Sequence, residues 1–120
     1  MSTLVPSDEQ SAGRGTAPPA GVPHPARHEI ELPAVLHALS DPVRLLIAKT
    51  LADGREWTCN SVELPVSKST STHHFRVLRE AGVIRQRVEG TTKLNSLRRE
   101  DLDACFPGLI DAVLGARPTV

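Results

Sequence analysis

The stretch Ser67-Lys-Ser-Thr-Ser-Thr-His-His-Phe-Arg-Val-Leu-Arg-Glu-Ala-Gly82-Val-Ile84 decides how the rest of the chain reads. Ser67 can cap a helix, Phe75, Leu78 and Ala81 recur at helical spacing, and Gly82 supplies a stop, so the pattern predicts a helix from Ser67 to about Glu80. Five of its first six residues, Ser67, Ser69, Thr70, Ser71 and Thr72, carry hydroxyls. Ser and Thr are poor interior helix formers, so such a run sacrifices propensity unless the surface it makes is used. Short donors and acceptors beside one long cation, presented at a helix N-terminus, suit base edges and phosphates.

Downstream, Val83–Val88 and Thr92–Leu97 are extended candidates, and Glu89-Gly90-Thr91 between them is a hairpin connection. Upstream, Leu32, Val35, Leu36 and Leu39 fall at helical spacing, and Ser40-Asp41-Pro42 restarts the chain with a cap followed by proline at the first helical position. The second helix buries Val43, Leu46, Ile47, Thr50 and Leu51, turns Arg44 and Lys49 to water, and stops near Gly54. Residues 59–64 read as a short helix. Asp101, Leu102, Phe106, Leu109, Ile110, Val113 and Leu114 give a last helical stripe, broken at Pro107-Gly108 into a turn and a short final helix. The order helix, helix, short helix, capped helix, hairpin, helix is that of a winged helix-turn-helix. The fold class is therefore mainly α with a small β-hairpin (α+β), its wing spanning 84–97.

The 120 residues suffice for one domain. Residues 1–28 hold Pro6, Pro18, Pro19, Pro23 and Pro25 with Gly13, Gly15 and Gly21, and read as a disordered tail. The folded domain is expected over 29–116 and a flexible end over 117–120. No apolar run approaches the ~18 residues of a membrane span and the start is not leader-like, so a soluble cytoplasmic protein without a membrane partner is expected. The formal net charge of +0 conceals segregation. Residues 67–99 carry 8 basic and 2 acidic side chains, while the segments on either side are each net negative. That concentration is the electrostatic footprint of a polyanion site. With Trp57, Phe75 and Phe106 the only aromatics, single-strand stacking platforms are excluded, leaving double-stranded DNA as the expected partner.

Two motifs carry a resemblance. Ala38-Leu-Ser-Asp-Pro-Val-Arg-Leu45 and Ser67–Ile84 resemble the ArsR-type winged helix-turn-helix repressors, over about residues 30–114. The resemblance implies a homodimeric bacterial transcription factor, a repressor released from operator DNA by an effector whose identity the sequence does not give. It places the dimer contact on the first and last helices, here Leu32, Val35, Leu36, Leu109, Ile110 and Val113. Carried over residue by residue, the recognition positions are Lys68, Ser69, Ser71, Thr72, His73 and Arg76, with Thr70, Phe75, Leu78 and Val83 as packing positions. The wing departs from the family pattern, having Thr91, Leu94 and Asn95 where relatives often place a tip Arg and paired Tyr. Arg85, Arg87 and Lys93 remain to hold phosphates, and Arg79 joins Arg76 as a further cation on the helix.

The family's metal signatures are missing: there is no Cys-x-Cys, and the last 40 residues contain no His. Adjacent His73 and His74 diverge by about 100° on a helix, which places His73 toward DNA and His74 in packing. No metal or cofactor is expected, and no catalytic constellation can be assembled, so the chain does not read as an enzyme. Two alternatives stand beside the DNA-binding repressor. One is a thiol- or metal-switched repressor using Cys59 and Cys105; the other is a winged-helix interaction module that does not read DNA. An interaction module has no need to concentrate cations on one helix and wing.

Overall fold

The computed structural model describes residues 22–115. The expected tail before residue 22 and the expected flexible end over 117–120 lie outside the described residues. Among the described residues, five α-helices and three strands follow in order: α1 (Leu32–Leu39), α2 (Pro42–Leu51), β1 (Trp57–Thr58), α3 (Lys68–Ala81), β2 (Ile84–Glu89), β3 (Thr92–Leu97), α4 (Arg99–Cys105) and α5 (Leu109–Leu114). The punctuation behaves as chemistry requires. The Asp41 carboxylate accepts from the N–H groups of Val43 (2.8 Å) and Arg44 (3.2 Å), with Pro42 opening α2. Burial works against ionisation there, but those two N–H groups hold the Asp41 carboxyl below its ordinary range. Ser67 Oγ accepts from Thr70 N–H at 3.2 Å and caps α3. Gly82 ends α3 in the left-handed region at φ 88, and Val83 N–H returns to the Leu78 carbonyl.

The sheet is antiparallel in the order β1-β3-β2, with β2 and β3 joined by the tight turn at Gly90-Thr91. Ile84 pairs with Leu97, Gln86 with Asn95, and Val88 with Lys93, so these residues share the inward face of the hairpin. Beneath it, Val35, Ile47, Leu51, Phe75, Leu78, Val83, Leu102 and Ile110 are all essentially inaccessible and form one core.

Three readings of the segment from α2 to α3 need correction. Residues 59–64 do not form a helix: Trp57 and Thr58 pair with Asn95 and Leu94 as an extra strand, and only the 3-10 turn Cys59–Ser61 follows. Thr58 Oγ1 accepts from Ser61 N–H at 3.1 Å, a local bond that competes with a longer helix. Arg44 is not on the wet side of α2; it is 8% exposed and donates through Nε to the Ala38 carbonyl (2.7 Å) and through Nη2 to that of His37 (3.4 Å). Leu46 takes the reverse course and stands 41% exposed.

The segment before α1 joins the packed surface from Val22 onward. His24 Nε2 accepts from Gln86 N–H on the outer edge of β2 (2.9 Å), the Pro25 carbonyl accepts from Arg98 Nη1 (2.7 Å), and Ile30 is buried against Gly82. One donor of the open sheet edge, Gln86 N–H, is thereby satisfied.

Candidate nucleic-acid interface

The two sides of α3 differ completely. His74, Phe75, Leu78, Arg79 and Ala81 are buried, while Lys68, Ser69, Thr72, His73 and Arg76 are exposed and Ser71 is half-buried. Phe75, Leu78 and Val83 occupy the packing positions expected of them; Thr70 does not, being exposed at the cap. Within the exposed face, Thr72 Oγ1 donates to the Lys68 carbonyl (3.0 Å) and Arg76 Nη2 lies 3.4 Å from His73 Nδ1. Part of the hydroxyl run is engaged within the helix, since Ser67 is spent on the cap and Thr72 bonds back to the preceding turn. His74 is packed as expected, with its Nδ1 3.2 Å from Arg44 Nη1. That contact connects α3 to α2 and to the end of α1.

The wing cations are divided by strand geometry. Arg85 and Arg87 alternate with buried Gln86 and lie on the outer face, whereas Lys93 pairs with Val88 and lies on the opposite face. Arg85 Nη2 is 3.5 Å from Asp101, whose carboxylate also takes Arg27 (2.7 Å) and Arg98 (2.9 Å). Arg87 is gripped by Glu56 at 2.6 and 2.8 Å, with Glu89 at 3.5 Å. Among the described residues, Lys68, Arg76 and Lys93 have no ion-pair partner.

Arg79 must be removed from the phosphate-binding set. It is 8% exposed and donates from Nη1 to Gln86 Oε1 (3.0 Å); Gln86 Nε2 donates in turn to Asn95 Oδ1 (2.7 Å). Asn95 Nδ2 completes the chain on the Trp57 carbonyl (3.0 Å) and the Cys59 sulfur (3.3 Å). Sequence reasoning missed this network. The signal was the placement of Gln86 and Asn95 at inward positions of the hairpin, where polar amides survive only if bonded.

No family model matches the chain. It is 37% identical over 82 residues to the uncharacterised HTH-type transcriptional regulator YceK of Bacillus subtilis, covering 66% of this chain and 82% of that protein. The crystal structure of an ArsR family transcriptional regulator superposes with a TM-score of 0.56 at 20% identity, covering 72% of this chain and 92% of the other. That of the transcriptional repressor BigR from Xylella fastidiosa superposes with a TM-score of 0.57 at 26% identity, covering 73% and 87%. The chain belongs to the HTH-type transcriptional regulators, with the fold of an ArsR family regulator. It is a winged-helix, DNA-binding transcriptional regulator rather than an enzyme.

In this HTH-type regulator the six residues expected at the dimer contact separate by depth. Leu32 and Leu36 are 40% and 46% exposed, Leu109 and Val113 are half-buried, and Val35 and Ile110 lie wholly inside the chain. The last two support the face from beneath and have no surface to present. Both thiols are free and half-buried, and each has its own partner: Cys59 takes Asn95, and Cys105 donates to the Arg27 carbonyl at 3.4 Å. Among the described residues no group of three His, Cys, Asp or Glu is placed to hold a metal, and no helix is long and apolar enough to cross a membrane.

Proposed function

We propose that this regulator is a homodimeric repressor, resident in the cytoplasm, that binds an inverted-repeat operator and yields it to an effector. Lys68, Ser69, Ser71, Thr72 and His73 present the reading surface to the major groove; Arg76, Arg85, Arg87 and Lys93 serve phosphates. The observation that carries this reading is the asymmetry of α3, whose hydroxyl- and cation-bearing face is left open while the other face is anchored in the core. A two-fold dimer built on Leu32, Leu36, Leu109 and Val113 presents two such helices on one side of a duplex, so half-sites about one helical turn, roughly 10 bp, apart are expected.

The test is selection of bound sequences from a random duplex pool, followed by titration of the enriched site against salt. An imperfect inverted repeat whose affinity falls by orders of magnitude between about 50 and 200 mM salt is the expected result. A pool that yields no motif, or affinity indifferent to salt, would overturn it. The interaction-module alternative loses ground to the concentration of cations in residues 67–99. Among those cations, Lys68, Arg76 and Lys93 have no acidic partner among the described residues.

A further inference from the structure

Glu56 sits in the link between α2 and β1, outside the basic segment, yet both of its carboxylate oxygens are engaged by the wing. Oε2 accepts from Arg87 Nε at 2.6 Å and Oε1 from Nη2 at 2.8 Å, a two-pronged pairing of carboxylate with guanidinium. The link is itself held in place. Asp53 accepts from the N–H and Nε of Arg55, both at 2.8 Å, and from Trp57 Nε1 at 3.2 Å; the Arg55 guanidinium lies 4.8 Å from the centre of the Trp57 ring. Trp57 is fixed in turn by pairing with Asn95 on β3. Glu56 is thus carried between two anchored residues and presented to the outer face of the hairpin.

We infer that Glu56 is an affinity-setting residue that occupies Arg87 in place of DNA phosphate. This inference rests on the DNA-binding reading above. A phosphate takes a guanidinium with the same forked geometry as a carboxylate, so the two anions compete for one site. Exchange is feasible because the pair is partly exposed, where ion pairs are weak. Once Arg87 turns to DNA, the Glu56 carboxylate is left facing a polyanion. The Arg87 guanidinium lowers the Glu56 pKa, so the carboxylate stays ionised through the neutral range. Glu89, 3.5 Å from Arg87 on the same strand, adds to the negative charge around this cation. The arrangement acts on affinity for any duplex and leaves base reading by α3 untouched.

The experiment measures binding of the full chain to a mixed-sequence duplex across a salt series. Four variants accompany the wild type: Glu56→Gln, Arg87→Ala, the double variant, and Glu63→Gln, which removes an exposed carboxylate with no ion-pair partner among the described residues. Glu56→Gln is expected to tighten binding about two- to fivefold per subunit and to steepen the salt slope by up to about one per subunit. That gain is expected to vanish when Arg87 is already Ala, and Glu63→Gln is expected to give a smaller gain that survives Arg87→Ala. Wild-type binding with no change in Glu56→Gln would overturn the inference alone. An equal gain in Glu63→Gln would do the same, since net charge would then explain it. Absence of wild-type binding at low salt would remove the DNA-binding reading and this inference together.

Discussion

Arg44 closes the junction of three helices with one guanidinium. It satisfies the carbonyls of His37 and Ala38 at the end of α1 while its remaining nitrogen meets His74 on α3. A helix end leaves its last carbonyls without partners, and a buried donor there answers both the hydrogen-bonding deficit and the helix dipole. Gly82 works by the absence of a side chain. At φ 88 it occupies a region that L-residues rarely adopt, and a Cβ there would lie 2.7 Å from Ile30 Cγ1 and 2.9 Å from its Cδ1. Gly82→Ala therefore combines a strained turn with displacement of Ile30, and a loss of about 1–3 kcal/mol is expected in urea unfolding. An unchanged midpoint would mean that the strap carrying Ile30 yields freely.

At the scale of elements, the sequence marked boundaries better than orientations. Asp41-Pro42, Ser67 and Gly82 are legible because each meets a backbone requirement within three or four residues of itself. The strand Trp57–Thr58 was not legible, since its partner lies on β3 and two residues have no period to detect. The inward course of Arg44 and Arg79 was hidden for a related reason: a long cation looks the same in sequence whether its head finds water or a buried acceptor. The exposed side of α3 was legible in its hydroxyls, and its division of labour with the wing can be tested. Thr72→Ala and His73→Ala are expected to relax preference at individual base pairs by about 1–3 kcal/mol with nonspecific affinity retained. Lys93→Ala is expected to weaken all sequences alike and to lower the salt slope by about one per contact. Competition titrations over single-base operator variants distinguish the two patterns, and a change of preferred base in Lys93→Ala would count against this placement.

At the scale of the molecule, two surfaces join distant parts of the chain. The first is the strap from Val22 to Ile30, where neutral His24 accepts from Gln86 N–H. Burial lowers the His24 pKa, a backbone bond to Val22 opposes that, and the charges of Arg98, Arg79 and Arg85 reinforce it. The unfolded chain, with the ordinary value near 6.5, then binds more protons than the folded one just below that pH. Stability from this contact is fully present above about pH 6.5 and is lost as the pH falls toward the lowered folded value. His24→Gln keeps an acceptor that does not titrate, so the difference in melting temperature between wild type and variant is expected to shift in favour of the variant as the pH falls from 7 to 5.5. A difference independent of pH would show that His24 is not the titrating group.

The second surface is the apolar face of α1. Leu36 is 46% exposed on a chain whose core is complete without it, whereas neighbouring Val35 is wholly enclosed. This contrast separates assembly from folding. A carboxylate in place of Leu36 remains hydrated in an isolated chain and is costly only once a second chain covers it, by several kcal/mol without a partner. Leu36→Glu is therefore expected to keep its helical circular dichroism and a cooperative melt, to sediment as a monomer, and to lose most of its operator affinity with about half the salt slope. Val35→Glu, which buries a charge inside the chain, is expected to unfold outright. If Leu36→Glu sediments as an intact dimer, the contact lies elsewhere, and exposed Leu46 on α2 becomes the residue to substitute next.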